Sequence, residues 1–323
     1  MPKSRKRLGA RGRRSKGGRS HRMQIAEFFE RTVVSAGRAS PHRVLYHYTA
    51  SSGAQNILSS QEFWSTAHDC TNDEAELASA HLIVTDVAQA CRRKYATGTS
   101  AKVLDLFLAS YPGSVAAQMR TIYLSCFSVA RDDENQWREY GDKGRGICLG
   151  IRVLEEPAPK STDVISVTLD VEYSKTLLRD WLAKTFENIC SVLALSQPSY
   201  RNCEEGLSAF YRIAAFASVR AKREKWKNER EVRHVTFSRR KTGVEPQERS
   251  SASGKVIRYL PVSLRADGKL IALDEIIIGA NQNTVEAQEQ LKNLLAAKGY
   301  IVGSVEYPRI TVSNLRSVGA GTC

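Results

Sequence analysis

Apolar residues Ile25, Phe28, Phe29, Val33 and Val34 recur at the spacing of one helical face, and the turn-rich GRASPH (37–42) closes that pattern near Ala36. RVLYHYTA (43–50) reads as a short strand, and SSGAQNILSS behind it offers a small-residue helix start. Next, within STAHDCTNDEAEL (65–77), Asn72 or Asp73 is suited to cap a long helix. Its apolar face is Leu77, Ala80, Val84, Val87, Cys91 and Tyr95. A further helix carrying Val103, Leu104, Phe107, Leu108 and Tyr111 is expected to stop at Pro112, which lacks the N–H a helix interior needs.

The central third changes period. TIYLSCFSV (121–129) and GICLGIRV (146–153) are β-rich and flank a short polar helix, DENQWREYGDKG (133–144). DVISVTLDVEY (163–173) is a third strand, followed by helices over about 174–196 and 203–227. SRRKTGVEPQERSSASGK (238–255) has loop composition. After it come VIRYLPVSL, KLIALDEIIIGA, a helix from Thr284 to Lys298, and YIVGSVEY (300–307). Strands and helices follow one another without regular βαβ alternation, which predicts an α+β fold on a mixed, mainly antiparallel sheet with peripheral helices. With no internal repeat and no linker after residue 40, residues 23–323 read as a single α+β domain.

Composition narrows the setting. A chain of 323 residues, 42% hydrophobic and 25% charged, can bury one large core or two modest ones. No apolar run approaches the roughly 18 residues of a membrane span, and the N-terminus lacks the apolar centre of a secretory signal. A cytoplasmic protein with no membrane partner is the expectation. The net charge is +14, yet MPKSRKRLGARGRRSKGGRSHR (1–22) alone holds ten Lys/Arg and no acid, so +4 remains elsewhere. Such a segment has too few apolar side chains to offset its ordering entropy, which predicts a disordered basic tail. A tail of this kind neutralises phosphates with little sequence preference, so nucleic acid or a ribonucleoprotein is its expected partner. The seven cysteines are scattered, odd in number and never in a CxxC pair, which indicates neither a disulfide framework nor a zinc knuckle.

Several chemistries are excluded by motif: there is no P-loop, no GxGxxG after a strand, no GxSxG elbow and no HExxH. GDKGRG (141–146) reads as a tight turn into the following strand. His68, Asp69, Asp73 and Glu76 are conceivable metal ligands, but capping and surface charge explain them, so no metal is expected. KWKNEREVRHVTF (225–237) is the stretch that carries candidate chemistry, with Glu229 and Glu231 one residue apart. As a helix end it would pair each glutamate with a lysine four residues earlier, the poorer order, and VRHVTF lacks helical spacing. A strand presenting both carboxylates on one face, with Arg230 on the other, is therefore expected.

The ordered series LYHYTA, ILSS, FWST, TNDEAE, then LSCFS, QWREYGDKGRGICLGI, KWKNEREVR and EIIIGA, over roughly residues 44–310, resembles a bacterial family known chiefly as a domain of unknown function. That family in turn resembles the ADP-ribosyltransferase superfamily, which binds NAD on a split mixed β-fold. The resemblance implies that His47 holds the adenosine-side ribose, with Thr49 beside it on the same strand face. It also implies that Tyr140 stacks on the nicotinamide and Trp137 shares that wall. In an alternative correspondence Ser125 or Ser128 takes the central polar role. Asn72 and Asp73 would lie on the substrate side. Breaking the nicotinamide glycosidic bond leaves positive charge on the ribose, so a fixed carboxylate is the group this chemistry needs. Glu231 would then be the electrostatic residue and Glu229 the acceptor-side one, or the reverse in the other register. What the resemblance implies is an NAD-dependent ADP-ribosyltransferase; the basic tail suggests nucleic acid or a nucleic-acid-associated protein as its target, in a toxin or phage-defence role. An NAD glycohydrolase and a non-catalytic nucleic-acid-binding protein are the alternatives.

Overall fold

The computed structural model describes residues 44–71, 74–119, 121–153, 164–195, 199–238, 245–250, 254–264, 271–300 and 308–315. The basic tail, the helix expected before Ala36, the capping pair Asn72/Asp73 and all but the first residue of YIVGSVEY lie outside them.

Among the described residues ten strands form one sheet in the order β10-β9-β4-β1-β3-β2-β8-β7, with β6 paired to β3 and β5 to β6. They are β1 (Val44–Thr49), β2 (Glu62–Ala67), β3 (Ile122–Ser128), β4 (Ile147–Val153), β5 (Val164–Asp170), β6 (Glu231–Ser238), β7 (Gln247–Ser250), β8 (Val256–Ser263), β9 (Ile271–Ile278) and β10 (Arg309–Val312). The β9–β10 pair is parallel and the other ladders are antiparallel, so the sheet is mixed and mainly antiparallel, as the strand order along the sequence predicts.

The centre of this sheet is divided. One edge of β3 pairs with β6 without interruption, from Ile122↔Phe237 to Ser128↔Glu231. Its other edge is shared: β2 reaches it at Thr66↔Leu124 and Ala67↔Tyr123, and β1 at the single bridge Tyr46↔Ser128. Between those contacts Ser125, Cys126 and Phe127 face a gap in the ladder, and the candidate chemistry gathers around it.

Strand alternation assigns each side of the sheet its own core. Ile122, Leu124, Val167, Leu169 and Val235 point to a helical layer made of α2 (Glu74–Lys94), α3 (Gly98–Met119), α5 (Lys175–Leu195) and α6 (Tyr200–Arg220). Phe107, Phe186 and Phe210 fill that layer. Leu45, Phe127, Leu149, Val232 and Ile276 point the opposite way, where Ala54 and Leu58 of α1 (Ser51–Ser60) and Leu291 and Leu295 of α7 (Thr284–Ala297) cover them. The short α4 (Glu134–Glu139) begins where the Asp133 side chain accepts from Gln136 N, and it drops Trp137 onto Tyr46 and Tyr48.

Four sequence expectations are corrected. Helix α3 continues through Pro112 to Met119. An interior proline costs about 3 kcal/mol, so the helix continues through this position against its local preference. Helix α6 ends at Arg220 rather than continuing to residue 227, because Ala221 turns extended and forms a bridge with Glu172. The expected loop after β6 contains strand β7, whose residues are all exposed. Finally, Glu229 and Glu231 do not share a strand: a 3-10 turn over Glu224–Glu229 ends at Glu229, and Arg230 takes a left-handed conformation (φ 46) before β6 starts at Glu231.

Candidate active site

The left-handed step at Arg230 decides the site's geometry. A strand would send both carboxylates to one face about 7 Å apart. Here the turn instead brings them onto a single cation. Lys222, in the extended segment after α6, contacts Glu229 Oε2 at 2.5 Å and also binds Glu231 Oε2. Arg233, two residues along β6, donates from Nε to Glu231 Oε1 at 2.7 Å and from Nη1 to the Val219 carbonyl at 3.0 Å. Both glutamates are buried, and the Glu231 backbone N–H donates to the Tyr173 hydroxyl at 2.8 Å.

Electrostatics separates the two acids. Burial pushes the Glu231 carboxyl upward, but the Arg233 guanidinium and the Lys222 ammonium outweigh it and hold its pKa at about 2. Lys222 is itself raised, because the two glutamates overcome the burial that opposes its charge. Glu231 is thus an anchor for two cations, ionised at neutral pH. Glu229 shares Lys222 and turns its other oxygen outward, where the Tyr140 hydroxyl donates to Oε1 at 2.7 Å. Tyr140 is 47% exposed, and burial of its hydroxyl end together with the Glu229 charge pushes its pKa up, so it remains a neutral donor. The Glu229 backbone is fixed as well: its carbonyl accepts from Ser128 Oγ at 2.7 Å and from Gln136 Nε2 at 3.0 Å.

The remaining candidates fall into distinct places. His47 alternates away from Tyr46, toward the side of Phe127, and enters the gap in the ladder. Its Nδ1 lies 3.1 Å from the Cys126 carbonyl, and its ring packs edge-on against Phe63 and Phe127. A carbonyl only accepts, so Nδ1 carries the proton and Nε2 is an acceptor. Burial lowers the imidazole pKa, which keeps the ring neutral. His47 therefore does not face the glutamates directly; Cys126 stands between, with its carbonyl toward His47 and its thiol beside Glu231. The Cys126 side chain is wetted, yet protein crowds its thiol enough to drive its pKa up.

Thr49 ends β1, where its carbonyl would lie 2.2 Å from a Cβ placed on Gly146, so glycine is required there for close approach rather than for a phosphate. Gly144 (φ 82) forms the turn into β4. Trp137 is fully buried, with Nε1 donating to Asp132 Oδ1 at 2.9 Å and its ring edge-on to Tyr48, so it presents no face to a ligand. Ser125 bonds Ser65 across to β2 at 2.6 Å, and Ser128 positions the Glu229 backbone. Of the central residues proposed from the sequence, Tyr140 is the one that reaches a glutamate side chain. Asn72 and Asp73 lie outside the described residues. Of the metal ligands considered, Asp69 is bound by Arg258, and no group of three His, Cys, Asp or Glu suited to a metal occurs among the described residues. No helix among them is long and apolar enough to cross a membrane.

Lys222, Arg233 and Cys126 were not singled out from the sequence. Arg233 had a local signal, an arginine two residues after Glu231 on the same strand face. Lys222 had none, because the break after α6 that brings it back to the glutamates is a tertiary feature.

No curated protein and no solved structure matches the chain. Residues 136–234 match the model of a family described as a protein of unknown function, DUF2971. That span is narrower than the resemblance read from the sequence, but it runs from Gln136 to His234 and so holds Tyr140, Lys222, Glu229, Glu231 and Arg233. The chain is thus similar, through the segment that builds its charged cluster, to a family whose description assigns no activity.

Proposed function

We propose that the chain is an NAD-dependent ADP-ribosyltransferase whose reaction takes place beside Tyr140 and Glu229. The observation that carries this reading is the 2.7 Å bond between the Tyr140 hydroxyl and Glu229 Oε1, made by residues 89 positions apart where β6 begins beside the end of β3 in a divided, mixed sheet. In the reaction the bond from ribose C1′ to the nicotinamide nitrogen breaks, and nicotinamide leaves with the electron pair. An acceptor nucleophile then bonds to C1′ and gives up its proton. The Glu229 carboxylate, held in place by Tyr140 and Lys222, stabilises the positive charge on the ribose and is suited to take that proton. Glu231 is a positioning residue: it holds Lys222 and Arg233 so that Glu229 keeps its orientation. His47 offers an unprotonated Nε2, the acceptor a ribose hydroxyl needs, with Thr49 at the end of the same strand. Asn72 and Asp73 remain candidates for the substrate side.

Incubating the purified chain with NAD labelled in its ADP-ribose part, together with total RNA, DNA or lysate protein, tests the proposal. Transferred label identifies the acceptor class, and free ADP-ribose as the sole product identifies a glycohydrolase. If the wild type cleaves no more NAD than Glu229→Gln with every acceptor, the enzyme reading is wrong. The ten Lys/Arg of residues 1–22 favour a second reading, a non-catalytic nucleic-acid-binding protein. In that case removing the tail abolishes binding, while His47→Ala leaves the cellular phenotype intact.

A further inference from the structure

The far side of the gap carries a feature that neither the glutamates nor the tail explains. Trp64 on β2 is 41% exposed, a high value for an indole on a strand interior to the sheet order. Tyr259 of β8 stacks on it at 4.7 Å between centroids and 29° between planes. The Arg249 guanidinium, on the wholly exposed edge strand β7, lies 5.6 Å from the centre of the same indole. Three strands thus contribute one aromatic and cationic surface.

Its location follows from register. The ladder Thr66↔Leu124 and the Ser65–Ser125 hydroxyl bond align β2 with β3, so Trp64 lies level with Cys126 and on the same face of the sheet. Cys126 in turn pairs with Arg233, next to the Lys222–Glu229–Glu231 cluster. The platform and the cluster therefore lie on the same face of the sheet, on either side of Cys126. Register puts Arg249 of the β7–β8 hairpin on the Trp64 face, while Glu248 and Arg258 pair on the opposite face, where Arg258 binds Asp69. An exposed indole on a sheet, backed by a buried tyrosine and flanked by an arginine, suits a flat, π-faced ligand attached to phosphate.

We propose that Trp64, Tyr259 and Arg249 form a binding site for an unpaired base of single-stranded nucleic acid. The base stacks on the indole in the place of the Arg249 guanidinium that lies over it, Tyr259 backs the indole and fixes its plane, and the displaced Arg249 meets the adjoining phosphate. A duplex hides its base faces and offers this site only phosphates, so the site discriminates single from double strands. This inference does not depend on NAD chemistry. If both hold, the acceptor of ADP-ribose is presented beside Glu229 by this platform.

The test is fluorescence anisotropy of the full-length protein, without NAD, against labelled single-stranded DNA and RNA of about 12 nucleotides and their duplexes, a length within the about 4–16 nucleotides typical of such sites. Working in about 0.3 M salt suppresses the contribution of the basic tail. Trp64→Ala is expected to weaken single-strand binding by about 5- to 150-fold, the range of one base stack, and to leave duplex binding unchanged. Trp64→Phe retains most of the affinity. Arg249→Gln weakens binding and reduces the salt slope by about 0.7, the value for one phosphate on a single strand; being exposed, it decides the matter if Trp64→Ala does not fold. Wild-type affinity in both Trp64→Ala and Arg249→Gln, or equal affinity for single strand and duplex, overturns the proposal. Single-strand binding that depends on Trp64 in a protein that never cleaves NAD would uphold this site and reject the enzyme reading.

Discussion

Replacing Glu231 by glutamine separates anchoring from chemistry. Glutamine keeps the shape and removes the charge, leaving Lys222 and Arg233 buried with one carboxylate where there were two. Breaking a buried ion pair from one side costs about 3–5 kcal/mol. The titration of Glu231 gives an independent magnitude: a carboxyl moved from its ordinary 4.5 to about 2 stabilises the fold by about 3 kcal/mol, at about 1.4 kcal/mol per pH unit. Because the folded-state pKa is depressed, that stability is fully present above pH 4.5 and is lost as the pH falls toward about 2. Urea unfolding of wild type and Glu231→Gln should therefore differ by about 3–5 kcal/mol at pH 7. The difference should shrink below pH 4.5, by about 1.4 kcal/mol per unit. A difference under about 1 kcal/mol at pH 7, or one that does not change between pH 4.5 and 3.5, would refute the anchor assignment.

Other consequences are open to measurement. Burial holds His68 at about 3 and His234 at about 4, so unfolding takes up protons below the ordinary 6.5 and stability falls as the pH drops. From pH 7 to 5 these two residues should cost about 4 kcal/mol together, and their ring-proton NMR signals should show no titration above pH 5; a midpoint near 6.5 in the folded protein would contradict this. Gly146→Ala forces a Cβ to within 2.2 Å of the Thr49 carbonyl and should lower stability by about 1–3 kcal/mol, seen as a lower midpoint in urea. Tyr140→Phe removes one part-buried bond to Glu229 and should cost about 1 kcal/mol of stability, while reducing NAD cleavage at least about 10-fold; unchanged turnover would remove Tyr140 from the site.

What the sequence disclosed depended on whether burial was written into local pattern. LYHYT, SCFS and GICLGI alternate or run apolar because β1, β3 and β4 lie at the sheet centre, and α7 shows both its Asn283 cap and its apolar face. EFWSTA and QERS carry no such pattern: β2 mixes Glu, Ser and Thr with its aromatics, and β7 is exposed throughout, held by backbone pairing to β8. Pro112 and the run to residue 227 misled because tertiary packing overrode local rules in opposite directions, extending one helix and cutting the other short. At the site, the sequence drew attention to Glu229, Glu231 and Tyr140 but not to how they meet. The left-handed Arg230 is an arginine where glycine or asparagine would have signalled the turn. Lys222 joins the cluster only through the Glu172–Ala221 bridge, a contact between segments about fifty residues apart. Trp64 was visible as a residue, but its exposure depends on strands that come almost two hundred positions later.

The central claim is that Glu229 acts on NAD, and release of nicotinamide from NAD by the full chain tests it most directly. Wild type and Glu229→Gln should be compared in the same assay, with the single-stranded and protein acceptors present and with unfolding curves showing both to be folded. The account predicts steady nicotinamide release by the wild type and a loss of at least about 100-fold in Glu229→Gln, the scale of removing one group that acts in the transition state. Release that is equal in the two proteins, or absent from a folded wild type with every acceptor, would contradict it.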